Sequence, residues 1–561
     1  MTRYWLKKSK HCFPLFSACR LKEGKQISTN ETGAHTKSKT QLKKSLGLGG
    51  VTINAMALIA PGAFLWLTFQ INAAQTTPSG ASTAFDIWPG LLLALILAFL
   101  TAASYSWLAR RYPDAGPGSS YYFAQRALLD KGSSNTSARN AKFGVGWISH
   151  LYYWVYPGVM VAAMSILLTW ILSVLGFSIS PLGEIAVACL FAVTTGAIAY
   201  RGIQGSTKTN LLLNVVQIGM LVIITGLALA YRFINPQHVT FTFNNLGGIV
   251  TPHDISTVLF QATIAILVLV GFESATAYTA EAKDPKVVPK AIILSLIIQG
   301  AFAYMLEYFG AEAWVNNSYT MTQNGVKFSG LSAAAVSSAP IGDMVHNLGN
   351  VFLGGNGFTL ELIVAGIVAA AILGTTLACM NTGVRVTYAI SRDTEVPQHL
   401  SMLNPKYSTP AIGIWIMTAV AAAIGSFGVL TITNLTSITL LSNFGTFLLY
   451  GLTNIIALIA FTKERSSILK RKIVPIAGFS ANALMMATIV YLSLAGGGTS
   501  RLEGAFAIVG TAIWLTIGLI YFRVNSKSKP SGLFPFPGKD EDENSNTKDT
   551  KSRMIKFWKK D

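Results

Sequence analysis

Ala55-Met56-Ala57-Leu58-Ile59-Ala60-Pro61-Gly62-Ala63-Phe64-Leu65-Trp66 is apolar at every position, yet it carries a Pro-Gly pair at its centre. Proline removes one backbone donor, and glycine weakens a helix locally. Further along, Leu269-Val270-Gly271-Phe272-Glu273-Ser274-Ala275 repeats the device, with a glycine now beside an ionisable residue. Each stretch sits in an apolar run near the roughly 20 residues that cross a hydrocarbon core of about 30 Å. They are the first and the sixth such runs in the chain. A single kink in a membrane helix is often structural. A matched pair at these two places is expected when spans 1–5 and 6–10 are repeats of opposite orientation, with a binding site where the two broken helices meet.

The rest of the chain supports that frame. Of its 561 residues 51% are hydrophobic and only 12% charged, about half the charge of an ordinary soluble domain. Twelve apolar runs are read as spans: 47–70, 87–110, 144–175, 184–201, 209–232, 257–280, 290–313, 357–391, 411–433, 435–462, 473–495 and 502–523. Each is expected to be a helix, because a lipid-exposed segment must satisfy its own backbone hydrogen bonds. The short alternating segments of a barrel are missing from the sequence. The expected fold is therefore an all-α polytopic membrane protein of about twelve helices. Residues 46–525 form its membrane domain, and 1–45 and 526–561 are polar, disordered cytoplasmic tails. The apolar stretches before the first span are too short for the core of a cleavable signal.

Basic residues set the orientation. Of 43 Lys and Arg, only Arg232, Lys327 and Arg501 fall in the loops assigned to the outside. Arg110, Arg111, Arg126, Lys131, Arg139 and Lys142 separate spans 2 and 3; Lys283, Lys286 and Lys290 follow span 6; Lys463, Arg465, Lys470, Arg471 and Lys472 follow span 10. This asymmetry places those loops and both termini in the cytoplasm of a cell bounded by an inner membrane. It also accounts for the +19 net charge without nucleic acid, for which no recognition fold is present. Of the four cysteines, Cys12 and Cys19 lie in the first tail and Cys189 and Cys379 within spans. Their placement suggests neither a disulfide framework nor a metal site.

Four further motifs fall in order along the chain. Tyr105-Ser106-Trp107-Leu108-Ala109-Arg110-Arg111-Tyr112-Pro113-Asp114-Ala115-Gly116-Pro117-Gly118 closes span 2. Gly202, Gly205, Ser206, Lys208 and Asn210 mark the loop between spans 4 and 5. Gly271-Phe272-Glu273-Ser274 is followed by Glu281-Ala282-Lys283-Asp284-Pro285-Lys286-Val287-Val288-Pro289-Lys290-Ala291-Ile292. Asn381-Thr382-Gly383-Val384-Arg385-Val386-Thr387-Tyr388-Ala389-Ile390-Ser391-Arg392-Asp393 ends span 8, with Pro397 and Thr409-Pro410 beyond. Together these resemble the amino acid–polyamine–organocation permease family over roughly residues 45–525.

The resemblance implies five-plus-five inverted helices with two added ones, and alternating access around a central site. It implies that a substrate carboxylate meets backbone N–H groups where span 1 unwinds, at Ala60, Pro61, Gly62, Ala63 and Phe64. The amino group meets carbonyls freed at Gly271, Phe272, Glu273 and Ser274 in span 6. The dipoles of half-helices suit such a zwitterion. Two departures from the family pattern stand out. Pro61 cannot donate a hydrogen bond, so one carboxylate contact is missing or moved. Gln217 occupies the place in span 5 where many relatives have a coupling lysine, and a neutral amide does not titrate.

Among individual residues, Glu273 is the leading candidate, because an acid at mid-span is costly to insert and needs a task or a partner. Proton coupling and capping of the broken helix are both open to it. Phe272 is a candidate gate over the substrate. Glu281 reads as a gate or loop anchor, and Arg385 as its partner or as a headgroup ligand. Thr375 and Thr376 are candidates for a hydroxyl-lined cation position, or they bond their own helix. Tyr153, Trp154 and Tyr156 either line the site or pack.

The expected function is a secondary transporter of amino acids, either proton-coupled or an exchanger, with polyamines or other amines as the alternative cargo. A non-transporting sensor on the same fold is the reading from another class. The expected partners are a small-molecule substrate, the lipid bilayer and protons as a coupling ion. No cofactor is expected, and no nucleophile–base constellation, metal cluster or nucleotide loop points to an enzyme. The orientation is tested by single cysteines in a background lacking the native four. Cysteines at Lys327 and Arg501 should react with an impermeant thiol reagent added outside, and those at Lys283 and Lys470 should not. The reverse pattern overturns the assignment.

Overall fold

Apolar segments in a bilayer have no water to satisfy their backbone, so the apolar runs wind into helices. The computed structural model describes residues 46–59, 65–113, 119–202, 207–235, 246–279, 281–393, 395–404, 406–407, 409–462 and 467–526. The two tails read from the sequence lie outside the described residues, apart from Ser526. So do Ala60, Pro61, Gly62, Ala63 and Phe64 of the first interruption.

Among the described residues, eleven helices are long and apolar enough to cross a membrane. They are Ala84–Arg111 (span 2), Asn135–Val174 (span 3), Pro181–Tyr200 (span 4), Leu211–Ile234 (span 5), Ile255–Tyr278 (span 6) and Pro285–Trp314 (span 7). Gly357–Arg392 (span 8), Ala411–Gly428 (span 9), Ile432–Phe461 (span 10), Val474–Ala495 (span 11) and Gly498–Asn525 (span 12) complete the set. Two shorter helices, Leu48–Ile59 and Leu65–Ala74, flank residues 60–64 and form the halves of span 1. The fold is that of a polytopic all-α membrane protein.

Span 3 begins at Asn135, not at 144. Its first turns are too polar to register as membrane-spanning, but Ser134 caps them by accepting the Ser137 N–H at 3.2 Å. Span 7 is α-helical at both ends and widens to a π-helix over Ile297–Tyr304, a feature that often marks functional sites. Between spans 7 and 8 lies a small hairpin, Thr320–Gln323 paired antiparallel with Val326–Ser329. Two short helices follow it, Leu331–Val336 and Pro340–Phe352. The hairpin turns on Asn324-Gly325, both at positive φ, as a two-residue turn of that sequence requires.

Close helix approach relies on small residues, since lipid offers no hydrophobic drive between apolar helices. A Cβ built on Gly158 of span 3 would lie 2.5 Å from Ile424 of span 9, and one on Gly425 would lie 2.4 Å from Val161. Polar pairs add to this packing. Trp147 and Trp514 join spans 3 and 12, each indole N–H donating to the other's carbonyl, at 2.8 and 2.9 Å. Asn454 of span 10 accepts from Ser104 at 2.6 Å and donates to Thr101 at 3.1 Å, both on span 2. On span 12, Val509, Ile513, Ile517 and Ile520 stay exposed, as lipid-facing residues do.

Gly425→Leu should therefore force spans 3 and 9 apart. The expected cost is about 1–3 kcal/mol, seen as a lower thermal midpoint of the purified protein. An unchanged midpoint would show that the spans can separate freely.

Candidate functional site

Span 6 is helical through Ile255–Ala265, tightens into a 3₁₀ turn over Ile266–Val268, and loses regular structure before Phe272. Gly271 takes φ +121° there, a conformation that a side chain would strain. The chain then rewinds as a 3₁₀ segment over Phe272–Tyr278. Every residue from Phe260 to Ala277 is buried, so the freed backbone groups need partners from within the protein.

Two side chains supply them. Asn443 on span 10 donates its Nδ2 to the carbonyls of Thr263 (2.7 Å) and Ile264 (3.3 Å). Glu273 reaches back two residues, and its Oε2 accepts the Gly271 N–H at 3.0 Å. The same oxygen accepts Tyr450 O–H from span 10 at 2.8 Å, and Oε1 accepts Tyr153 O–H from span 3 at 3.5 Å. In each of these three bonds Glu273 is the acceptor.

Aromatic rings close around this carboxylate. Phe272 packs against Tyr450 and Tyr105 with centroids 5.3 and 6.1 Å apart. Tyr105 is held in turn by Ser120, whose hydroxyl donates to it at 2.7 Å. Tyr152, Tyr153 and Tyr156 are all buried on span 3. Ser274 is buried as well, and among the described residues its Oγ has no hydrogen-bond partner.

The first half of span 1 approaches the same region. Gln299, in the π-helical part of span 7, donates to the Met56 carbonyl at 2.8 Å and to Asn214 at 3.2 Å. Met56 lies just before residues 60–64, and this bond ties the first half of span 1 to span 7. Gln217 is buried on span 5. Thr375 and Thr376 are buried on span 8, and each hydroxyl donates to its own helix, at Ala371 (3.0 Å) and Ile372 (2.7 Å). Among the described residues, no cluster of His, Cys, Asp or Glu could hold a metal ion.

Glu281 stands apart, beyond the end of span 6. Its Oε1 meets Arg385 Nη2 of span 8 at 2.8 Å, and that guanidinium also lies 5.0 Å from the Tyr278 ring. The backbone of Leu46 pairs with Glu281 and Lys283 at 3.0 and 2.8 Å. The entrance to span 1 is thereby tied to the exit from span 6. Nearby on the chain, Arg139 bonds Glu395 through two nitrogens at 2.7 and 3.1 Å, and Lys142 pairs with Asp393.

Asn443 and Tyr450 are absent from the residues picked out in the sequence. They lie seven apart on span 10, on one face of the helix, and Asn454 extends the row by another turn. A repeating polar position in an apolar helix was the available signal.

The family model described as amino acid permease matches residues 50–521. The low-affinity putrescine importer PlaP of Escherichia coli is 24% identical, over 88% of this chain and 95% of its own length. The branched-chain amino acid permease BcaP of Bacillus subtilis is 24% identical, with the same coverage of both chains. The methylthioribose transporter of Bacillus subtilis is 22% identical over 80% of this chain and 88% of its own.

The two tyrosines that donate to Glu273 should differ in weight. Tyr450→Phe removes a well-formed bond to a buried acceptor, at a cost of about 1–3 kcal/mol. Tyr153→Phe removes a bond at the limit of hydrogen-bond length and should cost less. Thermal unfolding of the two variants checks the order, and a larger loss for Tyr153→Phe would refute it.

Proposed function

Since the chain belongs to the amino acid permease family, we propose that it carries amino acids across the cytoplasmic membrane by alternating access. The break in span 6 at Gly271 carries this reading, because it is buried, lined by aromatics and built from residues of spans 3, 6 and 10. Irregular backbone inside a membrane is tolerated where it is buried in protein or lines a cavity, and discontinuous helices form the binding sites of many transporters, which supports a binding role for this segment. Spans 1–5 and 6–10 act as inverted repeats around it. The substrate amino group lies near the span 6 backbone and Ser274. Its carboxylate lies toward residues 60–64. Glu273 holds the broken helix in shape, and Phe272 covers the substrate.

Amines are the second reading. Pro61 withholds one donor from a carboxylate, while Glu273 adds negative charge beside the cleft. An amine without a carboxylate loses nothing at Pro61. The relatives named above include an importer of putrescine and a permease for branched-chain amino acids, which supports both cargo classes. Both termini and the ion pairs at Glu281, Glu395 and Asp393 face the cytoplasm, where the basic residues cluster. In that frame the pairs form a closed inner gate.

Transport is driven by protons or by exchange. Gln217 offers no titratable group in span 5, and Thr375 and Thr376 spend their hydroxyl protons on their own helix. The test is uptake of radiolabelled leucine and putrescine into proteoliposomes, with separate proton, sodium and internal-substrate gradients. Accumulation of either label with a proton or counter-substrate gradient is the expected result. Stimulation by sodium alone overturns the coupling, and failure to move any amino acid or amine in any mode leaves a sensor as the better reading.

A further inference from the structure

Span 7 carries two acids deep in the bundle. Glu307 is 4% exposed and Glu312 fully buried. Glu307 lines a cavity with Leu65 and Trp66 of span 1, Met220 and Ile224 of span 5, and Met344 of the helix Pro340–Phe352. Among the described residues its Oε2 has no hydrogen-bond partner. The lining is otherwise apolar except for Thr225 and the Trp66 indole N–H, which among the described residues has no hydrogen-bond partner and makes none with Glu307.

The size and chemistry of this cavity select its ligand. It has room for about one water molecule, too little for an amino acid or an amine with its carbon chain. A metal cation needs several oxygen ligands, and the side chains lining the cavity provide them only from Glu307 and Thr225. An isolated carboxylate in apolar surroundings lacks the pairing that a buried charge requires. A proton bound to it removes the charge and needs no further space.

Among the described residues, the neighbours of Glu307 leave it without an ion pair. Tyr304 and Tyr308 flank it on span 7, and the helices Leu65–Ala74 and Gly247–Val250 bring no ionisable residue. Span 5 brings Arg232, the helix Pro340–Phe352 brings Asp343 and His346, and span 8 brings Glu361. Asp343 accepts from Tyr319 and Ser337, both at 2.6 Å, and His346 meets Glu361 at 2.8 Å. Span 2 brings Tyr105, Arg110 and Arg111, and Asp86 precedes it, bonded to the His253 N–H at 2.8 Å. Among the described residues no ion pair joins any of these to Glu307.

We propose that Glu307 is the proton-binding residue that couples transport. This rests on the alternating-access reading above. The cavity lies against Leu65–Ala74, the half of span 1 beyond the break, and the adjacent Tyr308 hydroxyl bonds Thr68 of that half. Movement of that half-helix opens and closes the surroundings of Glu307, and so exchanges its proton with one side of the membrane. Glu273 does not serve here, because the Gly271 N–H and two tyrosine hydroxyls occupy its oxygens.

Infrared difference spectra between acid and neutral pH test the binding step on the purified full chain. Wild type should show a titrating carbonyl stretch from a protonated carboxyl that Glu307→Gln removes, Glu307→Asp shifts, and Glu273→Gln and Glu312→Gln retain. A band that survives in Glu307→Gln, or that never titrates in wild type, overturns the proposal. In proteoliposomes Glu307→Gln should lose uptake driven by a proton gradient, while uptake driven by internal substrate survives. Loss of both modes, or of neither, overturns the coupling role. A wild type that exchanges substrate but ignores the proton gradient overturns it while leaving the transporter reading intact. Should wild type move no solute, that reading fails, and the infrared band alone decides whether Glu307 binds a proton.

Discussion

A backbone that leaves its helix inside a bilayer must find new partners in the protein, and this condition organises everything around Gly271. A polar group left unpaired in an apolar medium costs several kcal/mol. A typical hydrogen bond between membrane helices returns only about 0.6 kcal/mol on average. The opened segment is therefore tolerable only if nearly every exposed group is met, and here the partners come both from span 6 itself and from a distant span. Asn443 meets the carbonyls of Thr263 and Ile264. Glu273 meets the Gly271 N–H, and Gln299 meets Met56 in span 1. The integrity of the opened segment thus draws on a few side chains, and any ligand admitted there would meet the same ones.

The surrounding helices hold those side chains at fixed distances. Tyr450 and Asn443 reach span 6 from span 10, which Asn454 in turn pins to Thr101 and Ser104 of span 2. Tyr105 on span 2 packs against both Phe272 and Tyr450. Tyr153 arrives from span 3, whose approach to span 9 relies on Gly158 and Gly425. A bulky residue at that distant glycine contact would displace span 3, and with it one donor to Glu273.

Much of this was legible in the sequence, and the missing parts share a cause. Hydrophobic runs mark spans because length and apolarity are properties of one segment at a time. Gly271 and Glu273 stand out for the same reason, being anomalies within a single run. Partners are properties of two segments, so Asn443 and Tyr450 went unnoticed although each lies in an otherwise apolar helix. The start of span 3 was misplaced because Asn135 to Phe143 is polar, and its helicity comes from a cap and from packing rather than from hydropathy. Glu307 and Glu312 were visible as acids in an apolar run. What sets Glu307 apart, an oxygen without a partner among the described residues and facing a cavity, exists only once the spans are packed together. Residues 60–64, which the sequence singles out as strongly as Gly271, lie outside the described residues.

The contrast between Glu273 and Glu307 shows how one bundle can give two buried carboxylates different work. Glu273 accepts from a backbone N–H and two hydroxyls, so a change in its charge would disturb the helix end it supports. A coupling group must change its charge once in each cycle, which makes a structural cap a poor place for it. Glu307 holds no such helix end together, and its Oε2, without a hydrogen-bond partner among the described residues, belongs to a side chain lining a cavity walled partly by Leu65 and Trp66 of span 1. Protonation there would alter the cost of burying span 7 against span 1 without unmaking the substrate cleft. A ligand or ion can shift a two-state equilibrium only by its differential affinity for the two states. A carboxyl whose surroundings change between states provides that difference, whereas one locked to Gly271 in both states does not.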